Sequence, residues 1–147
     1  MHYYVPEGKA AIEIVSGGSS GGIQTVETLE KDSTYKLEFV MGDANNSCVG
    51  EFIVGAQAGS KAQNFTMHSQ GIGFAQNCSM TFKADSSSPT VISFVSFTTT
   101  KSRDLVFCGP VIDKVVVQSS NGVKHDIELR IVAFLIVFLV ATLKVNG

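Results

Sequence analysis

Short runs of alternating apolar and polar residues recur along this chain at intervals of about ten residues, and that spacing is the pattern of short strands joined by turns. Alternation with period two puts successive side chains on opposite faces of a strand. A chain written this way can bury one face of an antiparallel sheet. The cleanest run is Thr34–Val40, where Tyr35, Leu37 and Phe39 point one way and Lys36 and Glu38 the other. Phe52–Ala58 aligns Phe52, Val54, Ala56 and Ala58 on one face. Cys78–Lys83 sets Cys78, Met80 and Phe82 against Ser79, Thr81 and Lys83. Ala10–Val15, Gln63–Met67 and Val111–Gln118 are further runs, with Gln63–Met67 the weakest. Thr90–Phe97 is apolar on both faces, which suits a central strand. Gly22–Glu27 alternates as well, with Ile23 and Thr25 on one side. Because Ile23, Val26 and Leu29 also fit a helical turn, Gly22–Lys31 reads either way.

Turn residues separate the runs: Ser16 to Gly22, Glu30 to Ser33, Gly42 to Asn46, and Asp85 to Pro89. Eight short strands at this spacing predict an all-β antiparallel sandwich or barrel. The 147 residues give room for one domain. Only 16% of residues are charged and the formal net charge is −2, so the field is too weak to mark a nucleic-acid binder. With 44% hydrophobic residues the chain is not a disordered one.

The pattern changes after residue 118. We expect a sandwich domain over 1–118, then a polar spacer and apolar tail over 119–147. Ile131–Leu143 is an apolar stretch without a charge. As a helix it would span about 20 Å, short of a hydrocarbon core of about 30 Å. The order of small residues (Ser119 to Gly122), spacer (Val123–Arg130) and apolar tail is that of a glycolipid-anchor signal, with Ser120 as the attachment residue. The opposing reading is an uncleaved apolar helix. The amino end shows no signal-peptide pattern.

Three cysteines, Cys48, Cys78 and Cys108, occur without a CxxC pair, so no zinc site is implied. Three N-glycosylation sequons begin at Asn45, Asn64 and Asn77. Together they point to the secretory route, where one disulfide and one odd thiol are the default. Three reduced buried cysteines in a cytosolic protein are the alternative. Asn45 and Asn64 rank above Asn77 as acceptors, since Asn77 adjoins a core strand.

Gly17-Gly18-Ser19-Ser20-Gly21 matches the hydrolase pattern GxSxG, but within a Gly/Ser-rich loop and with only His68 and His125 after it. A flexible loop is the stronger reading, and no catalytic residue is assigned. Nothing ranks Asp43, Glu51, Asp85 and Asp104 as a carboxylate pair. The residues alone describe a secreted β-sandwich that binds rather than catalyses, with no cofactor and no metal.

Several segments carry a family resemblance. They are Val5 to Glu13, Tyr35 to Phe39, Met41-Gly42-Asp43-Ala44-Asn45-Asn46-Ser47-Cys48, Phe52 to Gly59, and Phe107-Cys108-Gly109-Pro110-Val111-Ile112-Asp113. From about Tyr3 to Val117 the chain resembles the plant cell-wall proteins called the domain of unknown function 642 family. The resemblance implies a jelly-roll sandwich of the galactose-binding-like type. It places the protein outside the cell, in the wall. Family members have a signal peptide and two such domains in tandem, and the matched stretch corresponds to most of the second. The opening strand of that domain is not recognisable here, so the expected sandwich is incomplete at its amino end. Cys78 stands where the family usually has no cysteine.

The function implied is non-catalytic: binding of wall polysaccharide (pectin or cellulose) or of pectin methylesterase. A purely structural or degenerate paralogue without a ligand is the alternative. No nucleic acid is expected, and a membrane only if the tail signals an anchor. Cys48 and Cys108 lie in matched segments and are expected to form the disulfide, leaving Cys78 free and facing the core. Loops at one end of a sandwich are the usual place for glycan contacts, which makes Asp43, Asn45, Asn46 and Arg103 the ligand candidates. Turn formation by Asp and Asn is the competing account of the first three.

Overall fold

The computed structural model describes residues 11–16, 20–45, 47–85, 89–98, 100–122 and 124–126. All regular structure among them is antiparallel strand. In chain order the strands are β1 (Ile12–Glu13), β2 (Gly21–Glu27), β3 (Thr34–Gly42), β4 (Val49–Ala58), β5 (Lys61–Gln70), β6 (Ala75–Lys83), β7 (Thr90–Ser96), β8 (Thr100–Lys101), β9 (Phe107–Cys108), β10 (Val111–Ser119) and β11 (Lys124–Asp126). One sheet has the order β1-β10-β3-β6, the second β2-β7-β4-β5, and β8 and β9 form a separate ribbon. In the first sheet β11 joins the same edge of β10 as β1, one at each end: β1 opposite Val111 and Ile112, β11 opposite Val116 to Gln118.

The two large sheets pack face to face. From the first come Tyr35, Leu37, Phe39, Met41, Met80, Phe82 and Val117, and from the second Ile23, Phe52, Val54, Ile92 and Phe94, all in one buried cluster. Phe39 is the hinge of that contact, edge-on to Phe94 with ring centroids 4.8 Å apart and edge-on to Phe65 at 5.1 Å. Such edge-to-face geometry sets a positive ring rim against a negative ring face. The inward positions of β3, β4 and β6 are the alternating ones expected from the sequence. The ambiguous Gly22–Lys31 resolves as strand as far as Glu27, with loop and turn beyond: Ile23 and Thr25 are buried, Val26 faces solvent, and β7 pairs along the whole of β2. Cys78 faces the core as expected.

Several boundaries differ from expectation. The weak run Gln63–Met67 is part of a ten-residue strand, hidden because its outward side is polar and β5 has a partner on one side only. Lys124–Asp126, placed by sequence in the polar spacer, pairs with β10. The sheet therefore continues beyond residue 118. The residues from 127 to 147, with the apolar stretch and its expected helix, lie outside the described residues.

Candidate functional site

Asp43 follows the last residue of β3, with its side chain turned inward, not into solvent. It is wholly buried. Its Oδ1 accepts the N–H of Asn45 at 3.0 Å and the N–H of Gly73, and its Oδ2 accepts the Ser69 hydroxyl at 3.1 Å and the N–H of Phe74 at 3.3 Å. The carboxylate thus joins the loop after β3 to the loop before β6. The backbone donors it holds would otherwise be costly unpaired groups, while the Ser69 hydroxyl also reaches the Cys48 carbonyl at 2.6 Å. This corrects the expectation of Asp43 as a ligand contact: a buried carboxylate already accepting four hydrogen bonds presents no open oxygen to a sugar. Asn45 is exposed, with φ 51°, and Arg103 is exposed in the turn joining β8 to β9. Asn46 lies outside the described residues.

Cys48 and Cys108 form a disulfide with their Cα atoms 6.1 Å apart, which fastens β9 to the start of β4. The Thr100 hydroxyl donates to the Cys108 carbonyl at 2.7 Å beside it. Asn45 and Arg103 consequently stand at one end of the molecule. Their surroundings are apolar: Ile72, Phe74, Leu105 and Val106 are all more than half exposed there. Ser120 lies in the turn between β10 and β11, its N–H donating to the Thr34 carbonyl at 3.0 Å. Gly17, Gly18 and Ser19 of the GxSxG match lie outside the described residues.

A second feature was not visible in the sequence. The outer face of the β2-β7-β4-β5 sheet carries a trough across all four strands. Register aligns Gly22, Val95, Gly55 and Asn64 in one row, and Gln24, Ser93, Gln57 and Ala62 in the next. Two of the four residues in the first row have no side chain, and Val95 stands between them, its Cγ2 3.1 Å from where a β-carbon of Gly22 would lie. Phe97 fills part of the trough. A β-carbon at Gly55 would meet the Phe97 ring, with Cε2 2.5 Å from that point, and would stand 3.3 Å from Asn64 Oδ1. The ring is held there because the Phe97 N–H donates to the Ile53 carbonyl at 2.9 Å, yet Phe97 is 57% exposed. Amides of Gln24, Gln57 and Asn64 border the row. Among the described outward residues of this sheet there is no Lys, Arg or Asp, and Glu51 is the acidic one. Such a surface offers an aromatic face, amide donors and acceptors, and little charge.

Two shallow depressions lie at the end away from the disulfide. One, of about 390 Å³, is lined by residues including Lys61, Lys83 and Asp85. The other, of about 300 Å³, is lined by residues including Glu30, Ser33 and Ser120. Their aromatic members, Phe82 and Tyr35, are buried, so neither depression shows an aromatic face to solvent. Sequence reasoning missed the trough because its members are spread from residue 22 to residue 97. Glycine in the middle of two strand patterns, at 22 and 55, was the available signal for a close approach.

Comparison with known proteins gives a consistent picture. The chain is 39% identical over 115 residues to the Arabidopsis thaliana protein DUF642 L-galactono-1,4-lactone-responsive gene 2, a match covering 78% of this chain and 31% of that protein. It is 37% identical over 117 residues to the Arabidopsis protein TEEBE, covering 79% of this chain and 31% of TEEBE. The chain therefore spans about a third of the length of these relatives. Residues 1–118 match the family model described as "Protein of unknown function (DUF642)", and with that match and those identities the chain belongs to the DUF642 family.

Proposed function

We propose that this chain is a non-catalytic carbohydrate-binding module of the plant cell wall, a jelly-roll sandwich of the galactose-binding-like type that holds a neutral polysaccharide across its four-stranded outer face. The observation that carries the reading is the trough: the exposed Phe97 ring over Gly55, bordered by the amides of Gln24, Gln57 and Asn64. Sugar rings pair their apolar C–H faces with aromatic rings and their hydroxyls with planar amides. The scarcity of basic residues on this face favours an uncharged glucan over a polyuronate, because an anionic chain would meet Glu51 and no Lys or Arg, with His68 opposite Glu51 the one basic side chain described there. Cellulose fits better than de-esterified pectin on this ground.

The test is a pull-down on amorphous cellulose and on polygalacturonate at low and moderate salt. Retention on cellulose, insensitive to salt and lost in Phe97→Ala and Gln57→Ala, is the expected result. Equal retention of Phe97→Ala, or salt-sensitive binding to polygalacturonate alone, would overturn the assignment. A second reading has its own observation. Ile72 and Phe74 beside Asn45, and Leu105 and Val106 beside Arg103, are exposed apolar side chains of the kind that mark a protein interface. They would suit a wall enzyme such as pectin methylesterase, and Leu105→Asp would weaken that association without touching cellulose retention.

A further inference from the structure

We propose that an N-glycan on Asn64 lies in the trough itself, its first sugar packed on the Phe97 ring, so that glycosylation of this residue closes the polysaccharide face. The inference rests on the reading of that face given above. Asn64 begins the sequon Asn64-Phe65-Thr66 and is exposed in the middle of β5. Its register partner is Gly55. Although β5 is an edge strand, the Asn64 amide leans inward over the sheet, with Oδ1 3.3 Å from the point where a Gly55 side chain would begin. Phe97 reaches the same point from the other side. A sugar attached to Nδ2 of that amide therefore starts beside an exposed aromatic ring that covers the Gly55 backbone. Packing there removes apolar area of both from water.

The other sequons offer no such seat. Asn45 is in a loop at φ 51°, and Asn77 is exposed on the edge strand β6 with Val40 opposite and Ala75 and Ser79 beside it on that face. The chemistry is the ordinary transfer from a lipid-pyrophosphate-linked oligosaccharide. A bond forms between Asn64 Nδ2 and the anomeric carbon, the bond from that carbon to the pyrophosphate oxygen breaks, and the amide loses one proton.

The experiment uses the full chain, secreted from plant cells, with Asn45→Gln and Asn77→Gln so that Asn64 is the remaining acceptor. In this background Thr66→Ala removes the acceptor and leaves Asn64, while Thr66→Ser keeps it. Mass spectrometry is expected to show a glycan on Asn64 in the parent and in Thr66→Ser. Both should be retained on amorphous cellulose several-fold more weakly than Thr66→Ala. Thermal unfolding gives a readout that does not depend on polysaccharide. Losing the glycan through Thr66→Ala should lower the midpoint by about 3 °C when Phe97 is present and leave it unchanged in Phe97→Ala. An unmodified Asn64 in secreted material overturns the proposal. Equal retention of the glycosylated and unglycosylated forms also overturns it, with cellulose binding left standing. If neither form is retained, the polysaccharide reading fails, and the thermal coupling to Phe97 alone decides whether the glycan has its seat.

Discussion

Asp43 shows how much one side chain can organise when it turns inward. Its carboxylate holds three backbone N–H groups and one hydroxyl drawn from residues 45, 69, 73 and 74. Hydrogen bonds to a charged acceptor contribute more than neutral ones, and a buried donor left alone costs its full desolvation. Asp43→Ala should therefore lower stability by about 3 kcal/mol or more, read as a shift of the urea midpoint. Sequence placed Asp43 in a turn correctly. It could not show which way the carboxylate pointed, because Ser69, Gly73 and Phe74 lie far along the chain. Phe97 is the converse case: it ends a run that reads as apolar on both faces, and its place over Gly55, with 57% exposure, shows it outside. Cys78 was legible in full from its alternation with polar neighbours. Burial raises its thiol above the usual value of 9.0, against a weaker opposing hydrogen bond from Gln76. Because the folded pKa is the higher one, the thiol costs nothing below the unfolded value. Above about pH 9 the unfolded chain ionises first and stability falls. A urea series from pH 8 to 10 should show this loss, and Cys78→Val should reduce it. Native protein should also resist thiol alkylation until it is unfolded.

Among the strands, legibility followed burial of one face. β3, β4 and β6 bury a full alternating row, and their inward sides were readable residue by residue. The short β8 and β9 carry no period and exist through the disulfide and the Thr100 hydroxyl. No local pattern could have announced them. The connection from β5 to β6 depends on Gly71, at φ 71°. A β-carbon there would stand 2.6 Å from the Ser47 Cα, while the Gly71 carbonyl accepts the Ser47 N–H at 3.2 Å. Backbone cannot yield as a flexible side chain would. Gly71→Ala combines a left-handed conformation with that collision, and should cost about 2 kcal/mol or more by chemical denaturation. By contrast Phe97→Ala, at an exposed ring, should leave stability within about 0.5 kcal/mol while removing cellulose retention.

For the whole molecule, the disulfide closes a separation of 60 residues between the start of one sheet's strand and the ribbon beside the other sheet's. In the chain-entropy account a loop of that size contributes about 4 kcal/mol. Reduction should lower the thermal midpoint by roughly 10 °C or more, with recovery on reoxidation. The placement of β1 and β11 has another consequence. Both lie against one edge of β10, and their directions make residue 11 and residue 126 face each other across Asp113 to Val115. That gap amounts to roughly 10 Å at strand rise. The described strands are thus close to a closed loop, and the order in which they are strung matters less than their neighbours. A circular permutant that joins 126 to 11 with a few glycines, and opens at the tight β4–β5 turn of Gly59 and Ser60, should keep the disulfide and unfold cooperatively. With residues 11 and 126 side by side, both ends of the described strands meet at a single margin of the first sheet, while the glycine row lies on the outer face of the other.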